Sequence, residues 1–226
     1  MLRAVIFDFN GILVDDEPVH LELFQRVLRE QGITLESEDY FARYLGLDDR
    51  GCFSAAYRGH GLPLDERQLG ELIRRKAAYY QETIEDRLTI FPGVATLIPA
   101  LSPKYPLAIA SGALRHEIEM ILGKMGLRSS FQAIASAEDV SEGKPNPEIF
   151  LKALALLNLR RAAPLIQPAE CLAVEDSRDG ILAATGAGMK CLAVTNSYPA
   201  SEFAGVEAVV ASLNEVTVSS LEALFR

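Results

Sequence analysis

The sequence predicts an α/β fold, a doubly wound (Rossmann-like) parallel sheet with an inserted all-helical segment, and three observations predict it. The chain opens on a short apolar run, Val5-Ile6-Phe7, that stops abruptly at the carboxylate Asp8. From Asp16 to about Leu88 the pattern is helical, with glycine breaks. From Phe91 onward, short apolar runs alternate with helical patterns, as β-α-β units require.

Each element has a local reason. The first run is β-branched and aromatic with no polar alternation, as in a strand buried on both faces of a parallel sheet. Open α/β sheets present functional groups at the carboxyl ends of their strands, which puts Asp8 at the mouth of a crevice. Gly11 allows the chain to turn sharply beside it. Asp16-Glu17-Pro18 opens a helix with acidic residues and proline in its first turn. Leu21, Phe24, Val27 and Leu28 form its apolar stripe, and Gly32 ends it. Further helices follow, with breaks near Gly46, Gly51 and Gly59-His60-Gly61-Leu62-Pro63, and a helix over 69–84 closes the insertion. The expected domains are therefore residues 1–16 with 90–226 for the sheet, and residues 17–89 for the helical insertion.

After Phe91-Pro92-Gly93-Val94, strands are expected at 106–110, 131–135, 170–174 and 191–195, with an edge strand at 208–210. Helices are expected at 114–124, capped by Gly126, then from the Gly143-Lys144-Pro145-Asn146-Pro147 loop through Leu157, at 179–187, and after Leu213. There is no internal repeat and no low-complexity segment.

Composition narrows the function. The 226 residues allow one large domain with a smaller insertion, and 49% of them are hydrophobic. No apolar run is long enough to cross a bilayer, so no membrane partner is expected. Met1 leads directly into the first strand, which leaves no room for a signal segment and implies a cytoplasmic protein. A net charge of −9 without a basic block excludes a nucleic-acid partner, while a small phosphorylated metabolite needs only a local positive pocket. Cys52, Cys171 and Cys191 are widely spaced among apolar residues, the setting of buried, reduced thiols. A monomer or a small homo-oligomer suits a chain of this kind.

Asp8, Ser111, Lys144 and the Glu175-Asp176 pair all fall at strand ends or loops of one rim. Alone, each has a plain reading: a helix cap, a turn, a solvated amine, an acidic helix start. In register they make a phosphate-and-metal site. Phosphoryl transfer to the Asp8 carboxylate would form an aspartyl phosphate that water then hydrolyses. An anion attacking an anion calls for a divalent cation, and clustered carboxylates offer hard oxygen ligands suited to Mg²⁺. Ser111 and the backbone N–H groups of Gly112 and Ala113 stand just before a helix start, where phosphate oxygens are favoured. Lys144 supplies a mobile positive charge, and Pro145 restricts the backbone that presents it.

Asp8-Phe9-Asn10-Gly11-Ile12-Leu13-Val14-Asp15, Ser111-Gly112-Ala113-Leu114-Arg115, Gly143-Lys144-Pro145-Asn146-Pro147 and Glu175-Asp176-Ser177 resemble, in order and context, the four motifs of the haloacid-dehalogenase-like hydrolases. They look like the branch that holds β-phosphoglucomutase and small sugar-phosphate phosphatases, and the resemblance covers almost the whole chain. The resemblance implies that the insertion is a cap domain that selects the substrate. It implies Asp8 as nucleophile with Lys144, and Mg²⁺ held by Asp8, Asp176, the backbone carbonyl of Asn10, and Glu175 directly or through water. It also implies that His20 and Arg50 in the cap contribute to substrate binding or proton handling.

One position departs from the family pattern. Asn10 stands where the family has a second aspartate, the general acid for the leaving oxygen and then the base for water. An amide does neither, and such assistance is worth ~10²–10⁴-fold. The sequence therefore supports a Mg²⁺-dependent phosphatase or phosphotransferase altered by Asn10, acting best on good leaving groups, unless His20, Glu17 or Asp16 supplies the acid. The other reading is a catalytically weak protein that binds or senses a phosphometabolite. Glu175-Asp176 argues against dehalogenation, which needs no metal, and Asn10 argues against a mutase, which needs proton transfer in both half-reactions.

Overall fold

In the computed structural model of the chain, which describes residues 1–84, 87–159 and 162–226, every residue of strand β1 (Ala4–Phe7) is buried. A strand with no polar face needs cover on both sides, and a parallel sheet with helical crossovers gives it. The chain divides into two compact units, Met1–Val14 with Ile90–Arg226, and Asp15–Thr89.

The second unit is helical: α1 (Glu17–Arg29), α2 (Ser37–Arg43), α3 (Asp49–Gly59) and α4 (Glu66–Ile84). Its core joins Phe24, Val27 and Leu28 of α1 to Tyr40, Phe53, Tyr57 and Leu72. Phe24 meets Phe53 edge-on with ring centroids 5.1 Å apart, a favoured aromatic geometry. The buried face of α1 is Val19, Leu23, Phe24, Val27 and Leu28, while Leu21 packs partly buried at the margin of the core.

The remaining elements of the first unit are α5 (Val94–Leu101), β2 (Leu107–Ala110), α6 (Arg115–Lys124), β3 (Ala133–Ala135), α7 (Glu148–Asn158), β4 (Cys171–Glu175), α8 (Arg178–Gly186), β5 (Lys190–Val194), β6 (Ala208–Val210) and α9 (Val218–Ala223). The six strands form one sheet in the order β3-β2-β1-β4-β5-β6, and every pair is parallel. Strand order reverses at β1, with β2 on one side and β4 on the other, so the carboxyl ends of β1 and β4 flank the topological switch point. Phe7 pairs with both Ile109 and Val174, and the Asp8 N–H donates to the Val174 carbonyl at 2.9 Å. That register sets Asp8 level with Glu175. Alanines at 4, 108, 110, 173 and 193 lie in one buried cluster with Phe150, Leu154 and Ile181, and their small side chains let α7 and α8 approach the sheet closely.

The departures from expectation are local. The sequence reading assigns no element to α5, a helix with Pro99 inside it, although Val94, Leu97, Ile98 and Leu101 keep helical spacing and are buried. β2 starts after Pro106, which has no N–H for the ladder, although its carbonyl accepts from Val5 N–H at 3.2 Å. β3 is shorter than expected because a 3₁₀ turn, Arg128–Ser130, occupies the approach to it. β4 lies one residue later than expected, since Glu170 ends the turn Pro168–Glu170. Glu175 thereby becomes its last residue. The terminal helix starts at Val218, where the Thr217 hydroxyl caps it by accepting from Ser220 N–H. No helix among the described residues is long and apolar enough to cross a membrane.

Phe53 is fully buried against Phe24 in the helical unit. Phe53→Ala is expected to destabilise that unit by about 3–5 kcal/mol, read by urea denaturation; a loss below about 1 kcal/mol would mean that this core is not packed as described.

Candidate active site

Parallel strands end in backbone groups that the sheet no longer pairs, and side chains placed there share a short rim. Here that rim carries three carboxylates. Asp8, Glu175 and Asp176 are buried, with one oxygen of each lying within 4.8 Å of the others. The Lys144 ammonium reaches in from the loop before α7 and donates to Asp8 Oδ1 at 2.9 Å and Glu175 Oε1 at 2.5 Å. The Lys144–Pro145 peptide bond is cis.

Glu175 is held from all sides. Its Oε2 accepts from Asp176 N–H at 2.9 Å, Ser177 N–H at 3.1 Å and the Ser177 hydroxyl at 3.0 Å. A Cβ on Gly180 would fall 1.9 Å from Glu175 Oε1, so the first turn of α8 must be side-chain-free where the carboxylate lies against it. The Ser177 hydroxyl caps that helix by accepting from Gly180 N–H. Gly11 turns the loop after β1 at φ 79°, and a Cβ there would fall 2.0 Å from Asp176 Oδ2. Only glycine combines this turn with this approach.

Burial pushes Asp8 up to about 7; Lys144 opposes that shift and Glu175 reinforces it. Burial also holds Asp176 well above the usual carboxylate range, with Glu175 and Asp8 adding to it. Burial works against the charge on Lys144, but Asp8 and Glu175 outweigh it and hold the ammonium above its ordinary pKa. The cluster is thus an excess of carboxylates compensated by one cation. Oxygen donors crowded in this way fit a hard divalent cation such as Mg²⁺.

Ser111 directly follows the neighbouring strand β2 and is buried. Its hydroxyl lies 3.5 Å from Asn10 Oδ1 and accepts from Ala113 N–H at 3.1 Å. The Ala113 N–H expected to face phosphate is therefore turned back onto Ser111, whereas Gly112 is exposed at the turn. Two residues outside any motif belong to the same rim. The Ser197 hydroxyl donates to Asp176 Oδ2, and the Asn196 side-chain amide donates to the Gly11 carbonyl at 2.6 Å. Sequence reasoning passed over both. The signal available was their place directly after β5, the strand beside β4, where polar residues must reach the same edge.

His20 and Arg50, the other two expected site residues, lie in the helical unit. Arg50 is exposed and forms a two-pronged ion pair with Glu66, at 2.8 and 3.0 Å. His20 sits in a buried polar network: Nε2 lies 3.1 Å from Asp16 Oδ2, Nδ1 lies 2.7 Å from the Lys76 amine, and the ring stacks on Tyr80. Lys76 also pairs with Asp49, Tyr80 donates to Asp16, and Tyr40 donates to Glu17 at 2.5 Å. Burial and Lys76 disfavour the imidazolium, but Asp16 and Glu17 prevail and raise the pKa of His20. Burial raises Glu17, against the pull of His20 and the Tyr40 hydrogen bond. Lys76 was not anticipated, because one lysine in a helix of mixed charge reads as a solvated amine.

Comparison with known proteins adds the family. A family model described as haloacid dehalogenase-like hydrolase matches residues 5–194. Hexitol phosphatase B of Escherichia coli is 30% identical, over 97% of this chain and 96% of its own length. Protein CbbY of Rhodobacter capsulatus is 32% identical, over 87% of each chain. A solved structure of an aspartate-to-asparagine mutant of CbbY from Rhodobacter sphaeroides, in complex with xylulose-(1,5)bisphosphate, superposes with a TM-score of 0.86 at 25% identity, covering 98% of this chain and 99% of that one.

The carboxylate cluster makes metal-free stability depend on pH in a definite direction. With its folded pKa raised to about 7 from an ordinary 3.8, Asp8 contributes stability that is fully present below pH 4 and lost as pH rises through 7. Asp176 acts with the same sign. A bound cation reverses that loss, because its ligands must be ionised. The gap between urea midpoints in Mg²⁺ and in EDTA should therefore be small at about pH 5 and widen steadily to about pH 8. A gap independent of pH would contradict this.

Proposed function

This chain belongs to the haloacid dehalogenase-like hydrolase family, and we propose that it is a Mg²⁺-dependent phosphatase that acts on a small phosphorylated sugar through an aspartyl phosphate on Asp8. The observation that carries the reading is the Lys144 ammonium shared between Asp8 and Glu175, inside a carboxylate cluster at the switch point of the sheet. A surface acid or a helix cap would not be buried against a lysine and two further carboxylates.

In this reading, Asp8 Oδ1 keeps its contact with Lys144 while Oδ2 attacks phosphorus in line with the leaving oxygen. The new bond joins the carboxylate oxygen to phosphorus, and the bond to the substrate oxygen breaks. Water then attacks the aspartyl phosphate, releasing inorganic phosphate and restoring the carboxylate. Lys144 stabilises the charge on the transferring phosphoryl oxygens. Ser111 and the Gly112 N–H orient the phosphoryl group at the start of α6. Mg²⁺, held by Asp8, Asp176 and the Asn10 carbonyl, would offset the repulsion between nucleophile and substrate. Glu175 has partners on both oxygens, which supports a role through water and through its hold on Lys144 in place of direct ligation. His20 and Arg50 remain proposed substrate contacts of the helical unit.

Asn10 sets the chemistry that this site can do unaided. With no proton to give an alkoxide, the site should turn over aryl or acyl phosphates far better than alkyl phosphates. The second reading, a protein that holds a phosphorylated sugar and turns it over weakly, is favoured by the same residue. An aspartate-to-asparagine mutant of the related CbbY is found in complex with a sugar bisphosphate.

The test is Mg²⁺-dependent turnover of matched aryl and alkyl phosphates by this chain, Asn10→Asp and Asp8→Asn. Asn10→Asp is expected to raise alkyl-phosphate turnover by ~10²–10⁴-fold, with a much smaller gain on aryl phosphates, and Asp8→Asn to abolish both. Efficient alkyl-phosphate turnover by the unmodified chain would instead place the acid elsewhere. Turnover that survives Asp8→Asn would exclude the covalent route.

A further inference from the structure

Two residues of the loop after β5 hold the two arms of the carboxylate cluster in different ways. Asn196 donates from its side-chain amide to the Gly11 carbonyl at 2.6 Å, on the loop that carries Asp8 and Asn10. Ser197 donates its hydroxyl to Asp176 Oδ2. Both oxygens of Asp176 lie close to Gly11, where an added Cβ would fall 2.0 Å from Oδ2 and 2.8 Å from Oδ1. One oxygen of Asp176 is therefore engaged by a hydrogen-bond donor. Among the described residues Oδ1 has no such donor, which makes it the oxygen better placed to serve a cation.

The consequence concerns which cation fits. Mg²⁺ demands near-octahedral geometry, takes carboxylates through one oxygen and keeps several waters, whereas Ca²⁺ takes roughly six to eight oxygens and readily accepts a carboxylate through both. The other two carboxylates are restricted in the same sense. Lys144 donates to Asp8 Oδ1, and Glu175 has donors on both oxygens. Asp176 is thus the one member of the cluster whose freedom to bind through two oxygens depends on a single side-chain hydroxyl.

We propose that Ser197, supported by Asn196, is a specificity-determining residue that keeps Asp176 to one-oxygen ligation and so makes the site prefer Mg²⁺ to Ca²⁺. The inference rests on the metal site proposed above and adds to it a positioning role for residues outside every family motif. Ser197 does not itself touch the cation. It acts by occupying an oxygen that a larger cation would otherwise use.

The experiment is calorimetric titration of the metal-stripped full chain with Mg²⁺ and with Ca²⁺, on the unmodified protein, Ser197→Ala and Ser197→Thr. Partners that orient a metal ligand typically change affinity by ~10–100-fold. Ser197→Ala should lower the ratio of Mg²⁺ to Ca²⁺ affinity by about tenfold or more, through weaker Mg²⁺ binding with Ca²⁺ binding held or improved. Ser197→Thr, which keeps the hydroxyl, should restore the ratio. Thermal melts in EDTA check that both variants are folded. A parallel fall in both affinities, or no change in either, overturns the specificity role while leaving the metal site intact. No binding of either cation to the unmodified chain overturns the metal site itself, and this inference with it.

Discussion

Burying three carboxylates beside a single ammonium is the constraint from which the rest of this structure follows. An ionised carboxylate out of water is costly unless it is paired or hydrogen-bonded, and removing one partner of a buried pair typically costs about 3–5 kcal/mol. Lys144 meets part of that cost for Asp8 and Glu175. Two backbone N–H groups and a hydroxyl at the start of α8 meet more of it for Glu175, and Ser197 does so for Asp176. What remains raises the pKa of Asp8 and Asp176, which is to say that the metal-free site favours protons. A site built this way is least stable when fully ionised, and the proposed divalent cation would relieve it.

The scaffold explains why such a cluster can exist at all. Parallel pairing brings the ends of β1 and β4 level, so residues far apart in sequence arrive as neighbours. The small residues at that edge are part of the same design. Gly11 lets the loop turn against Asp176, and Gly180 lets α8 start against Glu175. Either Cβ would occupy space that a carboxylate already fills.

Much of this was legible in the sequence because it rests on local signals. An apolar run that stops at Asp8, a strand that stops at Glu175-Asp176 and a lysine between glycine and proline are each unremarkable alone, and mark one rim when taken in register. The six-stranded parallel sheet followed from the alternation of such runs with helical patterns. What stayed hidden depends on contacts that local pattern does not encode. Asn196 and Ser197 look like loop residues until β5 is known to lie beside β4. Lys76 looks like a surface amine until α4 packs on α1 and buries it with His20 and Asp49. The sequence reading passes over the short helix α5, although its buried residues keep the right period around Pro99.

In the function proposed above, Asn10 leaves the nucleophile, the cation ligands and the phosphate-orienting groups in place and changes only the handling of protons. The central claim is therefore that Asp8 still becomes phosphorylated. The most direct measurement is acid-quenched mass spectrometry of the chain after brief incubation with Mg²⁺ and an aryl phosphate, with the adduct mapped to a peptide. A phosphoryl group on the peptide that contains Asp8, absent in EDTA, is the predicted result. Release of inorganic phosphate with no adduct at any time, or an adduct on a peptide without Asp8, would contradict the account.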